Sequence, residues 1–148
     1  MIMRTKLEFC ALRHELGLTL DELASRLSVT IRTVSRWEDT RDEEHYKPTS
    51  AAWALIDELK SLQELSCAEA INRVHKIERE LGKKPTSVQI SYFTSQADYE
   101  EHHRPKDGGT WRTANANARL TAQVLRAQGY SVEYVYAVDG AGCKFLHE

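Results

Sequence analysis

Two short amphipathic segments, each preceded by a threonine, constrain the fold of this chain more than any other feature. The first reads TLDELASRL, and Glu22 follows Thr19 by three residues, which is the spacing of a helix capping box. Thr30 can cap a second short helix, which is predicted from Ile31 to Asp39. Because only a few residues connect them, the two segments are expected to form a helix-turn-helix.

Further helices are predicted on both sides of this motif. Apolar residues at helical spacing predict a first helix from Arg4 to Leu16, with Gly17 at its C-cap. After a charged loop that ends at Pro48, two more helices are predicted, AAWALIDELKSLQEL and CAEAINRVHKIEREL. The segment GKKP then ends the helical pattern, so we predict an N-terminal helical domain over residues 1–82.

Beyond residue 82 the apolar pattern changes to the two-residue period of β-strands. SVQISYFT is predicted to be a strand, followed by a short helix capped by Ser95 and a longer one capped by Thr110. YSVEYVYAV and CKFLHE are predicted to pair as a hairpin through the turn DGAG. The fold class is therefore mainly α, with a small α+β unit at residues 83–148. Because so small a sheet is marginal alone, we expect this unit to dimerise.

Composition limits the kinds of partner that the chain can have. No apolar run approaches the roughly 18 residues of a transmembrane helix, and the N-terminus lacks a secretory signal, so a cytoplasmic protein without a membrane partner is expected. The three cysteines, Cys10, Cys67 and Cys143, do not have the spacing of a zinc site. Formal net charge is −2, so binding to nucleic acid must depend on a local basic patch.

The second short helix has one face suited to the protein interior and another suited to a partner. Val34 and Trp37, with Val29, can face inward. Arginine can bond guanine edges, hydroxyls can bond phosphates or bases, and an isoleucine can contact a thymine methyl. The candidate DNA-binding residues are Thr30, Ile31, Arg32, Thr33, Ser35, Arg36 and Arg41.

Two observations bear on this interpretation. A local basic patch is predicted from Arg26, Arg32, Arg36, Arg41 and Lys6. An acidic run follows the helix directly and would repel phosphate, so we expect it to form a solvated loop directed away from DNA; it comprises Asp39, Asp42, Glu43 and Glu44. The alternative is a solvated helix whose arginines merely pair with these carboxylates.

The segment TLDELASRLSVTIRTVSRWE resembles the helix-turn-helix of phage repressors and XRE-type regulators. The resemblance depends on Leu23-Ala24, Val29 and the run VSRWE at residues 34–38. The resemblance implies that this chain binds an operator as a dimer. It also implies that base or phosphate contacts come from Thr30, Ile31, Arg32, Thr33 and Arg36. Two positions depart from the family pattern: Leu20 replaces a glutamine that often contacts phosphate, and Asp39-Thr40 replaces the usual Asn-Gly ending.

The layout of the whole chain is similar to that of the YdiL-like regulators, a group that includes anti-CRISPR-associated repressors. The resemblance implies a homodimeric repressor of its own operon, as in phage, that binds an inverted repeat through the N-terminal domain. Two alternatives use the same helix-turn-helix face. One is an antitoxin whose C-terminal unit masks a partner, and the other is an RNA-binding regulator.

The sequence predicts neither an enzyme nor a bound cofactor. KDGGT lacks the pattern of a phosphate-binding loop, and no nucleophile stands beside a base. Asp98 and His102 have a spacing that occurs in metal sites, but a surface helix without metal is expected there. Trp111, at the start of a helix, is expected to anchor the core rather than to stack on nucleobases.

Overall fold

A computed structural model describes residues 4–102 and 109–137, together with the backbone of residues 143–146. These residues are mainly helical, with a small sheet in the second half. They belong to an N-terminal unit, Met1–Gln63, and a C-terminal unit, Glu64–Glu148. The elements in chain order are α1 Lys6–Leu16, α2 Leu20–Leu27, α3 Ile31–Trp37, α4 Ser50–Leu81, β1 Ser87–Tyr92, α5 Gln96–His102, α6 Trp111–Ala127, β2 Val132–Tyr136 and β3 Cys143–Leu146.

The first three helices of the chain each follow a threonine. The hydroxyl oxygens of Thr5, Thr19 and Thr30 accept hydrogen bonds from the backbone N–H three residues on, at 3.0 to 3.1 Å. Each bond satisfies an amide that the first turn of the helix leaves without a backbone partner. The predicted caps at Thr19 and Thr30 are therefore confirmed.

The connection between α2 and α3 is short because its backbone turns sharply. Ser28 adopts the left-handed conformation with φ 56° and ψ 42°, and the Val29 N–H bonds the Ala24 carbonyl at 3.0 Å. This closes α2 and directs the chain into the cap of α3 within three residues. The side chains of α1, α2, α3 and the first turns of α4 then share one core, which includes Phe9, Leu16, Leu18, Leu23, Ala24, Val34, Trp37, Ala52 and Ile56.

Helix α4 is one continuous helix of 32 residues. The prediction of two separate helices here is wrong, because the segment between them, ELSC, contains no proline or glycine that would interrupt the hydrogen bonding. The division of the chain into two compact units falls between Gln63 and Glu64, within α4, whereas the predicted domain boundary follows residue 82. Within the described residues, no helix is long and apolar enough to cross a membrane.

The sheet of the C-terminal unit has the strand order β2-β1-β3. β1 pairs in parallel with β2, Val88 opposite Val132, and antiparallel with β3, Val88 opposite Phe145. The predicted hairpin between β2 and β3 is therefore wrong: the crossover through α5 and α6 returns β2 to one side of β1, and β3 takes the other side. Residues 138–142, which include the predicted turn, lie outside the described residues.

The face of the sheet that bears Val88 and Ile90 is covered by helices. The core of this unit consists of Val74, Val88, Ile90, Ala118, Ala122, Leu125 and Tyr130. Near the end of β1, the buried Asn115 amide donates to the Phe93 carbonyl and accepts from the Phe93 N–H, both at 2.9 Å. The predicted strand and the helices capped by Ser95 and Thr110 are confirmed.

Candidate nucleic-acid interface

Helix α3 is fixed by the side chains of its inner face. Val34 and Trp37 are buried, as predicted, and the half-buried Val29 packs against the same core. The Trp37 ring meets Phe9 edge to face with centroids 6.0 Å apart, and Phe9 meets Trp53 in the same way at 5.1 Å. Because α3 has only seven residues, this packing rather than intrinsic helix propensity holds it in place.

A buried ion pair connects α1 to the residue that follows α3. The Arg13 guanidinium donates to the Glu38 carboxylate from Nε at 2.6 Å and from Nη2 at 2.8 Å, and the side chains are 11% and 9% exposed. Nη1 also donates to the Leu18 carbonyl at 2.8 Å. This pair was not predicted from the sequence. Arg13 and Glu38 are 25 residues apart, and nothing local in the sequence indicates that they meet.

Lys6 supports the same, C-terminal end of α3. Its side chain is 2% exposed, and its ammonium donates to the Arg36 carbonyl at 2.9 Å and to the Asp39 carbonyl at 3.4 Å. A cation is favourable here because the last carbonyls of a helix carry partial negative charge. Lys6 is therefore not part of an exposed basic patch, contrary to the sequence-based prediction, and it acts on the backbone of α3 instead.

The outer face of α3 carries the side chains that the sequence analysis selected. Thr30, Ile31, Arg32 and Ser35 are exposed, whereas Thr33 and Arg36 are half-buried. The Thr30 and Thr33 hydroxyls are 2.9 Å apart, so the two side chains hold each other at the start of the helix. Arg26, on α2, is also exposed.

Arg36 has a neighbour that the sequence analysis did not identify. Its guanidinium carbon lies 4.6 Å from the centre of the Tyr46 ring, the distance of a cation–π contact. Tyr46 belongs to the loop after α3, and its backbone has φ 53°. An aromatic residue in the otherwise polar segment DEEHYKP was the only sequence signal for it.

Arg41 is exposed and forms an ion pair with Asp39. The guanidinium donates from Nε to Oδ1 and from Nη2 to Oδ2, each at 2.9 Å. The hydrogen bonds from the side chain and then the backbone of Arg41 lower the pKa of the Asp39 carboxyl to about 2, so it is ionised at neutral pH. Arg41 therefore pairs with a carboxylate, as expected if the arginines near α3 pair with the acidic run.

The rest of the acidic run also has local partners. Asp42 lies 3.0 Å from the His45 ring, Glu43 accepts from the Lys6 backbone N–H at 3.4 Å, and Glu44 lies 4.0 Å from Lys47. These contacts offset part of the negative charge beside α3 and order the loop that carries Tyr46. Such exposed contacts are individually weak.

Leu20, one of the departures from the family pattern, is half-buried and packs against the core of the N-terminal unit. A leucine at this position contributes apolar contact and cannot donate a hydrogen bond to phosphate.

Asp98 and His102, the pair with metal-ligand spacing, bond each other across one turn of α5 at 2.9 Å. The parts of the chain that the structure describes contain no cluster of three or more potential metal ligands. The protein-family models and the curated proteins compared with this chain include none that matches it.

Proposed function

We propose that this chain is a sequence-specific DNA-binding transcription regulator whose α2 and α3 form a helix-turn-helix, with α3 as the recognition helix in the major groove. The main observation behind the proposal is that the two faces of α3 have different roles. Its inner face is fixed by Val34 and Trp37, and its outer face offers two arginines, three hydroxyls and an isoleucine. That set can contact guanine edges, phosphates and thymine methyl groups.

The supports of α3 favour recognition over a merely solvated surface. The Arg13–Glu38 pair and the Lys6 ammonium fix the C-terminal end of the helix through buried charges, which are expensive to desolvate. A helix held this firmly presents its outer face in one orientation, so its backbone needs little ordering when the side chains bind. The residues proposed to contact DNA are Thr30, Ile31, Arg32, Thr33, Ser35 and Arg36, together with Arg41 at the edge of this surface.

The experiment that tests this function is selection of duplexes by the full-length protein from a random-sequence library. We expect enrichment of a short motif, arranged as an inverted repeat with half-sites about 34 Å apart or a multiple of that distance if the protein is a dimer. The matching RNA is measured in parallel. Failure to enrich any duplex would overturn the proposal, and tighter binding to the RNA would favour an RNA-binding regulator.

We further propose that the regulator is a homodimer joined through its C-terminal unit, and that it represses its own operon. Strand β2 supports this because, among the residues that the structure describes, it pairs with β1 on one side only and carries Tyr136, which is 83% exposed. An exposed strand edge with large aromatic side chains is a typical surface for pairing with another chain.

Tyr136→Lys is expected to convert the dimer to monomer, because it places a charge on this strand edge. The variant should fold normally, since the ring makes little contact within its own chain. Sedimentation equilibrium over a range of micromolar concentrations measures the association, with Gln123→Lys, an exposed residue of α6, as the charge-matched control. A wild-type protein that is monomeric throughout, or a Tyr136→Lys variant with unchanged association, would exclude this interface.

Asp39→Asn is expected to strengthen DNA binding. The substitution removes a negative charge beside α3 and releases the Arg41 guanidinium from its carboxylate partner. If Arg41 then neutralises one further phosphate, the slope of log affinity against log salt concentration steepens by about 0.9. Fluorescence anisotropy at several salt concentrations measures it. Glu58→Gln, on exposed α4 surface, removes the same charge without releasing Arg41, and equal slopes for the two variants would contradict the prediction.

A further inference from the structure

The contact between Arg36 and Tyr46 leaves the N–H donors of the guanidinium available, whereas the contact between Arg41 and Asp39 uses them. Arg41 uses the N–H groups at the edge of its guanidinium to bond Asp39. The Arg36 guanidinium instead lies over the Tyr46 ring, with its carbon 4.6 Å from the ring centroid. Within the described residues its side chain donates no hydrogen bond to a protein group. Stacking therefore orients the group while its donors remain free for an external acceptor.

The backbone of Arg36 is fixed as well as its side chain. The Lys6 ammonium bonds its carbonyl at 2.9 Å, which anchors the last turn of α3. An arginine side chain has four rotatable bonds and loses much conformational freedom when it is ordered. Contacts at both ends of the residue reduce the freedom that remains to be lost when Arg36 meets a ligand.

Tyr46 is held in a conformation that its own side chain does not favour. Its φ of 53° lies in the left-handed region, which residues other than glycine adopt infrequently because Cβ approaches the backbone. The loop around it is braced by the Asp39–Arg41 pair and by hydrogen bonds from His45 to Asp42. The Tyr46 side chain is nevertheless 60% exposed, so burial in the core does not explain why the backbone is held this way.

We propose that Tyr46 is a positioning residue for the recognition surface: its ring holds the Arg36 guanidinium in the orientation in which it contacts DNA. This inference rests on the proposed function. The loop after α3 then contributes to recognition through Arg36. The functional group of Tyr46 is its aromatic ring rather than its hydroxyl.

A double-mutant cycle on the selected duplex tests the proposal. Tyr46→Ala is expected to weaken binding about 2- to 5-fold in the wild-type protein, the range of an exposed cation–π contact. In the Arg36→Ala protein the same substitution should have no effect, because the group that it positions is gone. Tyr46→Phe keeps the ring and should bind as the wild type does. Thr40→Ala, a change at another exposed residue of the same loop, is the control and should not couple to Arg36.

Two results would overturn the proposal while leaving the DNA-binding function intact. One is an equal effect of Tyr46→Ala with and without Arg36, which would mean that the ring acts independently of that arginine. The other is a loss in Tyr46→Phe as large as in Tyr46→Ala, which would assign the effect to the hydroxyl. If no duplex is enriched by the wild-type protein, the proposed function fails and the positioning role fails with it.

A measurement without DNA tests the physical basis independently. The guanidinium carbon of Arg36 lies 4.6 Å from the centre of the Tyr46 ring, so the proton resonances at this end of the side chain should be shifted upfield by the ring current. This shift should persist in Tyr46→Phe and disappear in Tyr46→Leu, and circular dichroism should show that both variants stay folded. Arg36 resonances that are unchanged by Tyr46→Leu would show that the ring does not hold the guanidinium in solution, which overturns the proposal.

Discussion

Replacement of Glu38 by alanine is expected to lower the free energy of unfolding of the N-terminal unit by about 3 to 5 kcal/mol. Arg13 would keep its charge in a site where the side chain is only 11% exposed, without the carboxylate that accepts two of its hydrogen bonds. The loss is large because a buried cation without its partner is desolvated and unpaired. Single domains are typically stable by only about 5 to 15 kcal/mol, so the variant should be close to unfolding.

Urea unfolding followed by tryptophan fluorescence measures this loss. Trp37 and Trp53 report on the N-terminal unit, and Trp111→Phe in all proteins removes the remaining tryptophan signal. The matched control is Asp57→Ala, which also removes a carboxylate from an arginine. The pair between Arg4 and Asp57 is 50% and 52% exposed, so its loss should cost at most about 1 kcal/mol.

A double substitution separates the cost of an unpaired charge from the net value of the pair. Arg13→Met with Glu38→Leu removes both charges and retains apolar volume, so it should be more stable than Glu38→Ala alone. Recovery should be incomplete, since Arg13 also donates to the Leu18 carbonyl. If Glu38→Ala costs no more than Asp57→Ala, the ion pair does not support α3 as we describe.

The second large effect is expected on DNA binding. Arg32→Ala should weaken binding to the selected duplex about 5- to 150-fold, since a good bidentate contact to guanine contributes about 1 to 3 kcal/mol. Specificity should relax at one base pair of each half-site, because only that base loses its partner. Arg32 is exposed, so the substitution should leave stability nearly unchanged.

Gel-shift titration against the selected duplex and its single-base variants measures both affinity and specificity. Arg79→Ala serves as the control: it removes the same charge from an exposed residue of α4 in the C-terminal unit, so it isolates any effect of net charge. Arg32→Ala combined with Arg36→Ala should abolish preference for the motif. Unchanged affinity of that double variant would refute the assignment of α3 as the recognition helix.

The caps of α2 and α3 could be predicted because their causes are local. Thr19 and Thr30 cap their helices through bonds to amides three residues away, and the inward direction of Val34 and Trp37 follows from helical periodicity. Two local patterns were misread. A break was predicted inside α4 where no residue interrupts the helix, and a hairpin was predicted from two strands adjacent in sequence.

The environment of each arginine could not be predicted from composition. Arg13, Arg36 and Arg41 are the same residue type, yet one is buried against Glu38, one stacks on Tyr46 and one pairs with Asp39. The partners of the first two are 25 and 10 residues away, and the loop conformation decides which of them can be reached. Lys6 was similarly expected at an exposed patch, but tertiary packing buries it beneath the end of α3.

By itself the sequence determined the local structure of this protein: which segments are helical, that four helices are capped by Thr19, Thr30, Ser95 and Thr110, and which side chains α3 turns outward. Each depends on hydrogen bonds and periodicities that span only a few residues. Only the tertiary structure decided the order of the strands and the partners that hold α3 and Arg36. These depend on contacts between residues distant in sequence, and a pattern along the chain contains no record of which distant side chains will meet.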